Sequence, residues 1–349
     1  MNQTEQLRID PTSIKRVLLI RLRRIGDIVM TTPAVSVLKE GCPQAAISYI
    51  IEEPYKELVE GNTALSKVII LPKNLSTKEF IKHIRKVRQE NYDVAVDFHG
   101  GPTASLIALF SKAKLKIGYR IKYKNFIYDI KLPRKPKKGT FHSVENHINL
   151  VKALGITTTS SPPLFLPKAQ EAEMKRVKAF LSKNKLNDSR VIILHISAGN
   201  KFRDWGTNNI IKLGHLLYEF PNVKIVLVGA REDKIAEEKI LKKSTAPLFS
   251  LVDRINLREL RELISRSSLF VGPDSGPMHI AASTSTPIVA YFGPSLPANF
   301  APWQANAFII EKEFECRPCK QRHCIYGDFR CLRNITPEEV YRACLTFLQ

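Results

Sequence analysis

The sequence predicts an α/β protein made of two successive parallel-sheet domains, and three observations carry that prediction. Short apolar runs end repeatedly at turn residues, stretches with helical spacing lie between them, and a Pro- and Ser-containing break at residues 157–167 interrupts the alternation near the middle. At 349 residues the chain is also longer than one core usually serves.

In the first half, residues 16–21, 46–51, 67–71, 93–97 and 114–118 read as buried strands, with helices such as 77–90 and 102–112 between them. The second half repeats the grammar. Strands are expected at 191–195, 224–228, 247–251, 268–271 and 287–291, and helices near 207–219, 233–242 and 256–265. Each half is therefore a Rossmann-like unit, whose ligands belong at the carboxyl ends of the strands. The expected boundary separates residues 1–160 from 161–349.

Composition narrows the function classes. Hydrophobic residues make up 44%, and no apolar run is long enough to span a bilayer. The polar residues 1–15 lack the apolar core of a signal peptide, so a cytoplasmic protein is expected. A net charge of +21 favours anionic partners. Much of it lies between Lys112 and Lys138, where eleven basic residues face Asp129 alone and are interleaved with Tyr119, Tyr123, Phe126 and Tyr128. Such a run is either a solvated face or a surface for a membrane or an anionic acceptor, where amphipathic rings anchor well.

The most specific signal is residues 267–295. A strand stops at Gly272-Pro273, Asp274-Ser275-Gly276-Pro277-Met278-His279 opens an amphipathic helix with Pro in its first turn, and a second strand ends at Gly293-Pro294-Ser295. Unpaired N–H groups at Gly276 and the nearby His279 suit a phosphate. Upstream, Ser197-Ala198-Gly199 follows a strand ending at His195 and leads to Lys201, Arg203 and Trp205. Its N–H groups and hydroxyl suit a diphosphate neutralised by either Lys201 or Arg203, and Trp205 is expected in the core. In the first half, Arg21, Arg23 and Arg24 precede Gly26-Asp27. Asp27 is either a helix N-cap or a general base, and the arginines suit acceptor carboxylates or phosphates. His99, in Asp97-Phe98-His99-Gly100-Gly101, is a further acceptor-side candidate.

Asp274-Ser275-Gly276-Pro277-Met278-His279, with Ala281-Ala282 and Phe292-Gly293-Pro294, resembles the donor-binding signature of glycosyltransferase family 9, the lipopolysaccharide heptosyltransferases. The resemblance extends to Val17-Leu18-Leu19-Ile20-Arg21, Gly26-Asp27 and Thr32-Pro33, to residues 195–205, and to the cysteine-rich tail. It implies a GT-B-like fold, with two Rossmann-like domains whose parallel sheets face a central cleft, the first on the acceptor side and the second holding a nucleotide-sugar. It implies an inverting transfer of heptose from ADP-heptose to a lipopolysaccharide core acceptor, with Asp27 as base and no metal or cofactor required. Ser197, Ala198, Lys201, Arg203, Arg231, Asp274, Ser275, Gly276 and His279 would bind the donor; because its charge would repel a diphosphate, Asp274 is expected on the sugar hydroxyls. A peripheral site of work on the cytoplasmic membrane face follows, and no nucleic-acid partner is expected. Where the family usually has Pro-Gly and Lys-Arg-Trp-Pro, this chain has Ile196-Ser197, and Arg203 and Gly206 replace the Lys and the final Pro.

Cys316, Cys319, Cys324 and Cys331 fall as C-x2-C-x4-C-x6-C, whereas Cys42 and Cys344 read as buried apolar residues. Short spacing in a cytoplasmic chain leaves three readings: a structural zinc or iron-sulfur centre, reduced thiols, or disulfides. Two other functions are weighed. A nicotinamide-dependent oxidoreductase is disfavoured because no G-x-G-x-x-G follows the first strand, and a nucleic-acid-binding protein would rest on the basic aromatic segment alone.

Overall fold

A computed structural model describes residues 10–123, 125–134 and 141–349. The chain divides into two compact units between Pro167 and Lys168, seven residues beyond the expected boundary and at the end of the Pro-containing break. The first unit holds β1 (Arg16–Ile20), β2 (Ala46–Glu52), β3 (Lys67–Leu71), β4 (Val94–Asp97), β5 (Leu115–Tyr119) and β6 (Ile130–Leu132). The second holds β7 (Arg190–His195), β8 (Val223–Val228), β9 (Leu248–Ser250), β10 (Leu269–Pro273), β11 (Ile288–Phe292) and β12 (Ala307–Glu311).

The first sheet runs β3-β2-β1-β4-β5-β6 and the second β12-β11-β10-β7-β8-β9, all pairs parallel. Counted from its own first strand, each sheet has the order 3-2-1-4-5-6. Chain direction across the sheet reverses between the first and fourth strands, which opens a crevice at their carboxyl ends. In the first unit that point follows Ile20 and Asp97, which are register partners. In the second it follows His195 and Pro273, the ends of β7 and β10.

Parallel sheets covered on both faces need continuous apolar strands, and these have them. Leu18, Ile20, Ile50, Ala95 and Ile107 are buried in one core, and Leu194, Ile225, Val271, Tyr291 and Val340 in the other. Helix starts are held by side chains. Ser76, Asn256 and Thr336 each form a reciprocal capping box with a glutamate three residues on. The edge strands β6 and β12 were not anticipated. The first is three residues inside the lysine-rich stretch, and the second lies between Asn306 and Lys312 with one buried residue, Ile310.

That lysine-rich stretch is not uniformly a surface. Tyr119 and Tyr128 are buried, and Tyr128 donates to Asp97, whereas Tyr123 and Phe126 are 83% and 77% exposed. Two of the four expected anchors are therefore core residues. Lys124, Lys135, Lys137 and Lys138, like residues 1–9, lie outside the described residues. No helix among the described residues is long and apolar enough to cross a membrane.

Candidate active site

In the first unit the chain leaves β1 through Arg21, which is 2% exposed. Its guanidinium donates from Nη1 to the carbonyl of Phe98 at 3.0 Å and pairs through Nη2 with the Asp27 carboxylate. Asp27 lies in the first turn of the helix Ile25–Val29. The N-cap of that helix is Arg24, in the left-handed region at φ 76°, and no side chain caps it. The capping reading of Asp27 therefore falls, and its carboxylate side chain is 29% exposed above a buried guanidinium. Arg21, expected to bind the acceptor, is engaged internally through Nη1 and Nη2. Arg23 and Arg24 are exposed, as an acceptor-binding role requires.

At the end of β4, Asp97 is fully buried and organises the Gly-rich turn. Its Oδ1 accepts from the N–H groups of His99 and Gly100, both at 2.8 Å, and its Oδ2 accepts from Tyr128 Oη at 2.5 Å. Burial raises its pKa in spite of these bonds. Gly100 at φ +69° lets the chain turn where a side chain would be strained. Burial, and then the charges of Arg21, Arg23, Arg134 and Arg24, push His99 down to about 3, so it is a neutral imidazole at physiological pH. Arg134, counted in the sequence only as one of the basic run, donates to the His99 carbonyl at 3.4 Å and stacks over Tyr119. Asp97 and Tyr128 were missed as site architecture. The only signal was an aspartate closing an apolar strand before two glycines.

In the second unit, His195 is buried, pushed down to about 3 by that burial, and its Nδ1 meets Ser275 Oγ at 3.1 Å. This contact joins the ends of β7 and β10. Ser197 Oγ accepts from Gly199 N at 3.0 Å, and Asn200 Oδ1 caps the single turn Lys201–Arg203 by accepting from Phe202 N at 3.0 Å. Ser197 and Ala198 are half-exposed, and Lys201 and Arg231 are exposed. Trp205 is buried as expected, donating to the Ile335 carbonyl at 2.7 Å and packing on Tyr291.

Arg203 and Asp274, which the sequence suggested would face different parts of a donor, face each other. Arg203 Nη1 lies 3.2 Å from the Asp274 carboxylate and 3.1 Å from its carbonyl, and Ser295 Oγ donates to the same carboxylate. The Asp274 side chain is 5% exposed and that of Arg203 is 27% exposed. The Asp274 carboxylate, expected to read sugar hydroxyls, is engaged here by Arg203 and Ser295. The helix Gly276–Ala281 is only six residues and is buried from Met278 onward, not amphipathic, and His279 is 2% exposed within it. Gly276 and Pro277 thus form the partly exposed edge of the motif, with Ser275 and His279 buried beneath it.

Cys316, Cys319, Cys324 and Cys331 are free thiols of intermediate exposure, and Cys42 and Cys344 are buried. Burial, and then the neighbouring Cys316, push Cys331 up to about 11, with Cys324 and Cys319 adding to the effect. Among the described residues no group of three or more His, Cys, Asp or Glu is arranged to hold a metal ion, so the zinc or iron-sulfur expectation finds no support there.

Comparison with known proteins places this geometry. Residues 80–329 match the family model for glycosyltransferase family 9 (heptosyltransferase). The chain is 27% identical over 299 residues to lipopolysaccharide heptosyltransferase 3 of Escherichia coli strain K12, covering 82% of this chain and 84% of that one. Among solved structures, the glycosyl transferase family 9 protein from Veillonella parvula DSM 2008 superposes with a TM-score of 0.87 at 24% identity, covering 96% and 97% of the two chains. The E. coli ADP-heptose lps heptosyltransferase II does so at 0.78 and 23% identity, covering 95% and 98%. The last two likenesses establish the fold, and the match to the family model spans the loop after β4, the donor-side loops and three of the four tail cysteines, so this chain belongs to glycosyltransferase family 9, the heptosyltransferases.

Proposed function

We propose that this heptosyltransferase takes its heptose from ADP-heptose and places it on a lipopolysaccharide core acceptor in a single inverting displacement. The observation that carries the reading is Asp27, an accessible carboxylate with no capping duty, held in one orientation by a buried arginine. In the reaction an acceptor hydroxyl oxygen attacks the anomeric carbon, the bond from that carbon to the diphosphate oxygen breaks, and ADP leaves. Asp27 takes the hydroxyl proton as the oxygen becomes nucleophilic. The charge gathering on the leaving diphosphate is met by Arg203, with Ser197, Ala198, Ser275 and Gly276 beside it and Lys201 and Arg231 as exposed cations. Fixed cations supply this stabilisation, so the reading requires no metal.

Arg23 and Arg24 are proposed to hold the anionic groups of the acceptor, next to the neutral His99. The exposed rings of Tyr123 and Phe126, beside the exposed Lys122, suit peripheral contact with the cytoplasmic membrane face, where such an acceptor lies. A nucleotide-sugar panel read by thermal shift tests the donor. A ligand at a hundredfold its dissociation constant adds about 2.7 kcal/mol of stability, so ADP-heptose should stabilise the protein where UDP- and GDP-sugars do not. Equal stabilisation by a UDP-sugar would reject the donor assignment.

A further inference from the structure

The cysteine-rich tail packs on both loops of the proposed donor site. Cys319 N donates to the Pro294 carbonyl at 2.9 Å and Arg317 Nη2 to the Ser295 carbonyl at 2.9 Å, in the turn that follows β11. Phe329 meets Phe202 edge-on at 5.3 Å. Between these contacts Gln321 reaches the loop after β7. Its Oε1 accepts from Asn200 Nδ2 at 2.8 Å and from Arg203 Nε at 3.3 Å.

We infer that Gln321 is a positioning residue of the donor site, orienting Arg203 toward the leaving diphosphate. Arg203 has a long, rotamer-rich side chain, and its fork is useful to an anion only when its orientation is fixed beforehand. Two groups fix it: Asp274 takes Nη1 and Gln321 takes Nε. With Nη1 and Nε so engaged, the proposal leaves Nη2 as the edge offered to a ligand. The chemistry favours an amide at this position. A carbonyl oxygen with two lone pairs can accept from both Asn200 and Arg203 without adding charge, whereas a second carboxylate beside Asp274 would neutralise the cation that the diphosphate needs. The backbone of the tail holds the amide in place, because Gln321 lies in the left-handed region at φ 56° and its N–H donates to Cys319 Sγ at 3.2 Å. The tail thereby belongs to the donor site.

This inference rests on Arg203 being a diphosphate ligand, and the test separates the two claims. Affinities for ADP and for adenosine are measured by calorimetry on the full-length protein, on Gln321→Ala, on Arg203→Gln and on the double variant. Losing one hydrogen bond to a charged group should weaken ADP about five- to tenfold in Gln321→Ala, with adenosine affinity unchanged. Adding the Gln321 change to Arg203→Gln should cost nothing more. A merely structural role for Gln321 would weaken ADP and adenosine alike, and that result overturns the proposal. It is overturned equally if Arg203→Gln weakens ADP and Gln321→Ala does not. If Arg203→Gln leaves ADP affinity intact, the donor reading itself has failed. Should Gln321→Ala melt early, Gln321→Glu keeps the size and should weaken ADP while sparing adenosine, by the charge argument.

Discussion

The two units carry the same device turned inside out. Each sheet has the same strand order, and at each reversal point an arginine pairs with an aspartate. In the first unit the arginine is buried and the aspartate accessible, at 3% and 29% side-chain exposure for Arg21 and Asp27. In the second the aspartate is buried and the arginine accessible, at 5% and 27% for Asp274 and Arg203. The accessible partner offsets part of the desolvation of the buried one and has its direction fixed by it, and on the proposed function it is the accessible partner that supplies the chemistry. On the proposed function, one topology presents a proton acceptor on one unit and an anion binder on the other, decided by which member of the pair lies underneath.

The comparison breaks most readily at Asp27. Asp27→Asn keeps the size and an acceptor for Arg21 but removes the basicity, so turnover should fall by about a hundredfold or more with ADP affinity and melting temperature nearly unchanged. Activity within a few-fold of the parent, with chemistry rate-limiting, would leave the first pair without a catalytic role and make His99 the next residue to test. The matching change in the second unit is Arg203→Gln, which should weaken ADP by roughly 1 to 3 kcal/mol in calorimetry. Unchanged ADP affinity would mean that the accessible arginine is not the anion binder.

A pH experiment sharpens the contrast between accessible and buried groups. His99 and His195 titrate near 3 in the folded chain, against 6.5 for an ordinary imidazole. Between those values the unfolded chain binds protons that the folded chain does not. Their contribution is therefore fully present above about pH 6.5 and is lost as the pH falls toward 3. The melting temperature should drop from pH 7 to pH 5, and His195→Asn should flatten that drop while lowering the value at pH 7. A parallel slope in the variant would assign the acid sensitivity elsewhere. The smallest expected effect is at the surface. Replacing Tyr123 and Phe126 by Ser should weaken binding to anionic vesicles in a flotation assay and leave ADP affinity untouched. Vesicle binding equal to the parent would remove the aromatic contact.

The alternation of elements was legible because parallel strands covered on both faces must be apolar throughout, as Val17-Leu18-Leu19-Ile20 and Val191-Ile192-Ile193-Leu194 are. Edge strands are released from that demand, so Ile130–Leu132 and Ala307–Glu311 left little pattern to read. The candidate positions were chosen for a related reason, since ligands gather where apolar strands end and Asp27, His99, Arg203 and Asp274 all follow such ends. Their pairings were not. Arg203 and Asp274 are distant in sequence, and nothing local told that they neutralise one another. Tyr128 was misread because a tyrosine among lysines has the composition of a surface, and only the tertiary fold carries it to Asp97.

Trp205 gives this enzyme a built-in optical probe. The chain has two tryptophans, and this one lies two residues beyond Arg203, packed with a tilt on Tyr291 at 4.7 Å between ring centroids. An indole in so fixed a setting responds to small changes in the field around it, and a diphosphate bound beside Arg203 as proposed would bring two or more negative charges into that field. With Trp303 changed to Phe, emission would come from a single indole in the loop proposed to meet the nucleotide. Donor arrival and product departure could then be timed by stopped-flow fluorescence with no attached dye.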